Sequence, residues 1–434
     1  MKMNSLFPSR PAKVILITLL MLSGFNENTY SQKTLLDLQE ACQKAEQTYA
    51  LNQNRDVLNR RYEMAVRTIR SAYLPQMGLS AQLSWQSEVT RVEIPLPGVE
   101  IPEMARDQYK AGLEVSQVIY EGGSSGLLQQ AEKAAHEGRM METEAELFRL
   151  RQRVDALFFN VLMLRKQVHI LSLQLESIDS RFRQCQSAQI HGAALPSQCD
   201  ELEAGKLAVA QSLHETHNGI RAGLDALGLY CGMELSDSTE LSIPDMVGPG
   251  TVQVHNRPEI RRFEATLSQL NINRKLTQTK ALPKVSGFAQ AGYGRPGLNM
   301  LDSDFKGYFL AGIRLSMPVW TWNRIQSEAS VIESSVRTVE LQNRTFHQEL
   351  DIRLSQLAHE AEKYSGLEAG DREIVRLRSN IARTAGIQYD EGMLMAGDWV
   401  QYLNEEAQAR MVLEQHLLRA KFARLQWARE SGQF

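Results

Sequence analysis

The sequence predicts a mainly α-helical chain with a β-barrel portion, built twice over from one helix–strand–strand–long helix–turn–helix unit. Three observations predict it. The first is internal duplication at an offset of about 200 residues. Leu74-Pro75 opens a run reading Met77, Leu79, Ala81-Gln82 and Trp85, and Leu282-Pro283 opens another reading Val285, Gly287, Ala289-Gln290 and Tyr293. Tyr109-Lys-Ala-Gly-Leu-Glu-Val-Ser116 is answered by Phe309-Leu-Ala-Gly-Ile-Arg-Leu-Ser316. The second is a switch to period two inside these runs, the spacing of a strand with one apolar face. The third is a sustained alternation of three- and four-residue steps after each strand pair. It runs through Leu127, Ala131, Ala134, Gly138, Met141, Ala145 and Phe148 in one copy, and Ile325, Ala329, Ile332, Val336 and Val339 in the other. That stagger is the signature of helices packed as coiled coils.

The elements follow in order. Lys2, Arg10 and Lys13 precede an apolar run from Val14 to Leu22 and then small and polar residues, so residues 1–31 read as a signal peptide. The first repeat spans 32–232. Its opening helix, 34 to about 72, rests on Leu38, Ala41, Ala45 and Tyr49, and Pro75 ends it. Strands are expected at about 76–86 and 109–119. Between them Pro95, Pro97 and Pro102 make a loop too proline-dense for a ladder. Gly122-Gly123 breaks the second strand, and Ser124 is a fair N-cap for a long helix over 124–190. At 1.5 Å per residue, a helix of that order is about 100 Å long. His191-Gly192 through Ser197 turns the chain at 191–197, and a returning helix runs from about Gln198 to Leu229. Residues 233–256 form a connector. The second repeat, 257–434, gives a helix, strands at about 284–293 and 308–317, a long helix over 324–388, a turn at 389–398 and a final helix.

Composition excludes several functions. The formal charge of −3 becomes about −5 without the leader, which carries Glu27 against three bases, so the chain is no basic nucleic-acid binder. The nine His residues show no ligand spacing, and Gly122-Gly123 lacks the Lys-Ser/Thr of a phosphate loop. No metal, cofactor or catalytic constellation is expected. Beyond the leader no apolar stretch looks long enough to span a bilayer as a helix, so a membrane would have to be met as a β-barrel, with strands of about 9–11 residues. Four strands cannot close one, so more than one chain is implied. Leu79, Leu83, Leu113 and Val115, with Met77, Ala81, Trp85, Tyr109 and Ala111, would face lipid. Ser, Gln, Gly and Glu would face the lumen. Alternation alone also suits a soluble sandwich strand with one core face. Trp85, Tyr109, Tyr293, Tyr308 and Trp320 suit an interfacial girdle.

Several motifs in order resemble the TolC family of outer-membrane efflux proteins, across essentially the whole mature chain. They are Leu36-Asp-Leu38-Gln-Glu-Ala41 with Ala45 and Asn52, Asn256-Arg257-Pro258-Glu259-Ile260 with Glu264-Ala265, and the paired strand motifs above. Tyr389-Asp-Glu-Gly392 followed by Asp398, and Gly192 followed by Ser197 and Asp200, resemble the helical tips. The resemblance implies a homotrimer, each protomer giving four strands to a twelve-stranded outer-membrane barrel and its helices to a periplasmic coiled-coil tunnel. It implies a passive exit duct for a tripartite efflux or type I secretion system in a Gram-negative bacterium. Its partners would be outer-membrane lipid, a periplasmic adaptor and an inner-membrane transporter, proton-driven or of the ABC type. The alternative is a periplasmic adaptor, which also combines coiled-coil hairpins with β structure. Adaptors normally have one hairpin, and this sequence has two.

In such a tunnel the tips would gate the pore. Asp200 and Asp398, repeated about a three-fold axis, would form acidic rings favouring cations. Both also suit helix N-caps. Tyr389, Gly192 and Gly392 complete the expected tip. Some family members lock it with a Tyr, an Arg and two Asp. Here Tyr389 and Asp398 match, but Leu394 and Gln401 stand where the Arg and second Asp would be. Ser197, Met393, Leu394 and Met395 are expected to contact the adaptor. Four cysteines in an exported chain permit a Cys185–Cys199 pair across the first tip and a Cys42–Cys231 pair near the tunnel's middle. Buried free thiols are the other reading.

Overall fold

The structure, a computed structural model, describes residues 35–89, 104–244, 256–300 and 302–433. The expected signal peptide, the centre of the proline-rich loop and part of the connector lie outside the described residues. Strand β1 (Leu35–Asp37) leads into α1 (Leu38–Thr48), where Asp37 caps the helix by accepting from the Gln39 amide at 3.0 Å. A 3-10 turn at Ala50–Gln53 separates α1 from α2 (Asn54–Ser71). The single helix expected over 34–72 is therefore broken. Thr48, Tyr49 and Asn52 are weak helix formers, and the Thr48 hydroxyl donates to the Cys231 carbonyl at 3.2 Å.

Strands β2 (Gln76–Trp85) and β3 (Asp107–Tyr120) precede α3 (Ser124–Ile190), which turns back as α4 (Pro196–Cys231). After β4 (Glu240–Ser242), the second copy gives α5 (Pro258–Thr279), β5 (Lys284–Arg295), β6 (Lys306–Ser316), α6 (Arg324–Asp390) and α7 (Ala396–Glu430). The two long helices each have 67 residues and start 200 positions apart. The expected cap at Ser124 is corrected. Gly123, at φ 79, is the N-cap and Ser124 is the first helical residue, because the chain leaves β3 through two left-handed positions that glycine adopts without strain.

The four long strands form one antiparallel sheet in the order β2-β3-β5-β6. Leu79 pairs with Leu113, Ala81 with Ala111, and Leu83 with Tyr109, so the alternating apolar residues of both strands share a face. That face continues through Ala291 and Tyr293 of β5 and Phe309 and Ile313 of β6. Tyr308 is a correction. It pairs with Gly292, on the opposite face from Tyr293, and its ring crosses Gly292 and Gly112, where a Cβ would meet its hydroxyl at 2.5 and 3.0 Å. Phe288 likewise lies over Gly312. The glycine repeated in both Ala-Gly strand motifs is thus the floor under a cross-strand aromatic ring.

A small parallel pair, β1 with β4, ties the connector to the start of the chain. Three-residue strands carry too little alternation to be read from sequence. Beside it lies the main core, where Leu38, Ala41, Val154, Phe158, Val161, Leu224 and Leu227 pack together. One window of α3 is, against expectation, long and apolar enough to cross a membrane by composition. Only 28% of that window is buried in the single chain.

Candidate functional site

The tip is built from two near-copies of one turn. In the first, the Ala193 amide donates to the Ala188 carbonyl at 2.8 Å; in the second, Met393 donates to Gln388 at 2.8 Å. These bonds close each long helix through a left-handed glycine, Gly192 at φ 70 and Gly392 at φ 75. Leu195 and Met395, both extended, then open the returning helices. The turns proper are therefore 191–195 and 391–395, shorter than expected. Asp200 lies in the second turn of α4 and Asp398 in the first turn of α7, and neither caps its helix. The capping role is overturned because the returning helices begin earlier than the sequence suggested. Both aspartates are exposed.

What holds the tips together was missed in sequence. Arg181 of α3 donates two hydrogen bonds of 3.2 Å to Asp390 of α6 and lies 4.4 Å from the centre of the Trp399 ring. Tyr389 stacks on the same indole at 6.0 Å. Burial, then Asp390, raises the Tyr389 phenol above its ordinary value, against the pull of Arg181. Gly386 admits the guanidinium, since a Cβ there would meet Arg181 at 2.7 Å. Glu201 of α4 accepts from the Gly397 amide at 2.8 Å, capping α7 from the other hairpin. An Arg–Asp bridge does join the tips, but from positions that the family's Tyr–Arg–Asp pattern does not mark.

Cys185 and Cys199 form a disulfide across the first tip. Their counterparts 200 positions on are Ala385 and Trp399, and all four sit in one buried tip cluster. A covalent staple in one hairpin is replaced by an indole in the other. The Cys42–Cys231 pair is overturned, for both are buried free thiols. Cys231 donates to the Ala41 carbonyl at 3.4 Å, while Cys42 faces Asp155 at 3.5 Å. Asp155 in turn meets Arg429 of α7 at 2.9 Å. Burial, then the Asp155 charge, pushes the Cys42 thiol up to about 12. Of the expected contact residues, Ser197, Met393 and Met395 are exposed, whereas Leu394 tucks partly into the tip cluster. On the strands, Leu79, Leu83 and Leu113 are exposed and Val115 half-buried.

The Arg257-Pro258-Glu259 motif also acquires a physical role. Arg257 is buried, donates two bonds of 3.0 Å to Glu259, pairs with Glu430 at the end of α7, and lies 4.2 Å over Phe148. It joins the opening of the second repeat to the close of the chain.

A four-stranded sheet on two antiparallel helical hairpins, one in each copy of the repeat, is the arrangement that this chain presents. Residues 38–213 match the family model described as outer membrane efflux protein. That family comprises ducts rather than enzymes. No curated protein matches the chain. Among solved structures, the Campylobacter jejuni CmeC outer membrane channel is similar at 16% identity, with TM-score 0.70 over 91% of this chain and 85% of that one. Vibrio cholerae VceC gives 14% identity and TM-score 0.71 over 91% and 96%. The open-state Neisseria gonorrhoeae MtrE channel gives 16% and 0.70 over 91% and 89%. These likenesses show a shared fold.

Proposed function

We propose that three copies of this chain join edge to edge into a twelve-stranded barrel in the outer membrane of a Gram-negative bacterium. Their hairpins would form a periplasmic tunnel that carries substrates passively outward, as the exit duct of a tripartite efflux or type I secretion system. The observation carrying this reading is the four-stranded sheet, which has an exposed apolar face and whose two end strands, β2 and β6, have no further strand partner among the described residues. Bare edges are untenable in lipid, where every backbone polar group needs a partner. Pairing β6 of one copy with β2 of the next removes all of them once the ring closes, and the family resemblance supplies the number three.

The exposed face of α6 supports the same assembly. Leu367, Ile374 and Ile381 recur at seven-residue steps and are exposed in the single chain. Such a seam suits a neighbouring coil. The lipid-facing set would be Leu79, Leu83, Leu113 and Val115. The gate would lie at the tips, where Asp200 and Asp398 line the rim beside Tyr389 and the turn glycines. Ser197, Met393 and Met395 would meet a periplasmic adaptor, which links the duct to an inner-membrane transporter. The test is fractionation with the outer membrane, a heat-modifiable trimer on gels, and conductance of the purified protein in planar bilayers. A periplasmic monomer without conductance would sink the proposal.

A further inference from the structure

The way one copy meets the next can be read from the repeat itself, given the trimeric reading above. The duplication keeps strand register. In the first copy Ala81 faces Ala111 and Leu79 faces Leu113; in the second, Ala289 faces Ala311 and Gly287 faces Ile313. Strand β2 therefore corresponds residue for residue to β5, and β3 to β6. The joint between the copies has its own register, with Leu113 opposite Ala291 and Ala111 opposite Tyr293. Its counterpart would join β6 to a β2. This chain's β2 is at the far edge of the sheet, so only another copy can supply it. The correspondence puts Leu315 opposite the partner's Ala81, Ile313 opposite the partner's Leu83, and Ala311 opposite the partner's Trp85.

The foot of the joint follows the same rule. Leu282, just before β5, lies so close to Gly122, just after β3, that a Cβ on the glycine would be 2.8 Å from its Cδ1. The corresponding residues are Trp322 and the partner's Leu74. Leu74 is 60% exposed and Trp322 is 85% exposed in the single chain. Trp322 has φ 50 and Asn323 φ 58, where the first copy uses Gly122 and Gly123. A bulky residue is strained in that region, at a cost glycine avoids. Among the described residues, the indole's one ring contact is a T-shaped one with Trp320, at 5.6 Å.

We infer that β6 of one copy pairs with β2 of the next in the register Ile313 opposite the partner's Leu83, and that Trp322 covers the partner's Leu74 at the foot of this joint. Trp322 carries a Cβ where Gly122 has none, so the partner's Leu74 cannot lie as close as Leu282 does. The joint between copies is therefore wider at its foot than the joint within a copy, and the indole fills the difference. It is also shorter. Pro318 stands where Val118 continues β3, and without an amide it cannot extend the ladder.

Cysteine pairs test this. Facing residues of antiparallel strands have Cα atoms about 4.5–5.5 Å apart, within disulfide range, and a two-residue slip adds about 7 Å along the strand. Purified Ile313→Cys/Leu83→Cys protein in detergent, once oxidised, should run as covalent dimers and trimers on non-reducing gels. The slipped pairs Ile313→Cys/Ala81→Cys and Ile313→Cys/Trp85→Cys should remain mostly monomeric. Leu315→Cys/Ala81→Cys is a second aligned pair that disturbs less bulk. A native trimer in which a slipped pair links better overturns the register and leaves the trimer standing. Monomers alone, by native mass, overturn both. For the foot, Trp322→Cys with Leu74→Cys should link between copies through a short bismaleimide. Failure there while the aligned strand pairs link overturns the Trp322 contact.

Discussion

Arg181 on α3 grips Asp390, the last residue of α6, while its guanidinium lies over Trp399 at the start of α7. One side chain from the first hairpin thus holds both helices of the second at the tip. The pair is only partly buried, 22% and 48% exposed, so its worth is that of a surface bridge, up to about 1 kcal/mol. Trp399, 2% exposed, is a core residue. Arg181→Ala should leave the melting temperature nearly unchanged yet raise single-channel conductance by freeing the second hairpin. Trp399→Ala should cost about 3–5 kcal/mol by urea unfolding. Unchanged conductance in Arg181→Ala would show that the bridge lies away from the constriction.

The acidic rim can be tested separately, because neither aspartate caps a helix. Asp398, in the first turn of α7, interacts favourably with the helix dipole, worth about 0.3–1 kcal/mol. Asp200→Asn with Asp398→Asn should therefore cost little stability while cation preference, read as reversal potential across a salt gradient, declines. An unaltered reversal potential would mean that the rings do not set selectivity.

Cys42 and Cys231 should resist a maleimide at pH 8 in the native protein and react once it is denatured, since both are buried thiols. Burial first, then the Asp155 charge, raises Cys42 from its ordinary 9.0 to about 12. A raised folded-state pKa means that the group's stabilisation is fully present below about pH 9 and is lost as pH rises towards 12. Cys42→Ala should flatten the alkaline fall in stability across that window, and an identical fall in wild type and variant would assign it to other groups.

Much of this fold was legible because the signals were long. A repeat, two period-two strand pairs and two helices of 67 residues survive an error of a few residues. The tip aspartates suit caps in sequence but lie inside their helices, since Pro196 and Ala396 open the returning helices sooner than the glycine-rich turns suggest. The Arg181–Asp390 bridge and the Asp155–Arg429 pair were invisible for another reason. Each joins residues more than 200 positions apart, and nothing local marks an arginine as bound for a particular aspartate. The cysteines show the same limit. Cys185 and Cys199 flank one turn and meet, whereas Cys42 and Cys231 share a core and turn to different neighbours.

The last prediction concerns the strand faces. Leu79 and Leu113 are directly paired and exposed on the apolar face, so a charge on either would enter lipid in the assembled barrel. Gln82, paired with Lys110, projects from the opposite face. An arginine at the bilayer midplane costs about 2–4 kcal/mol, and a trimer bears that cost three times. Leu79→Arg and Leu113→Arg should therefore reduce the heat-modifiable trimer in outer-membrane fractions. Gln82→Arg should assemble and shift conductance or ion preference instead, because its charge would reach the aqueous lumen. Equal assembly of all three variants would falsify the assignment of faces, and loss of Gln82→Arg alone would reverse it.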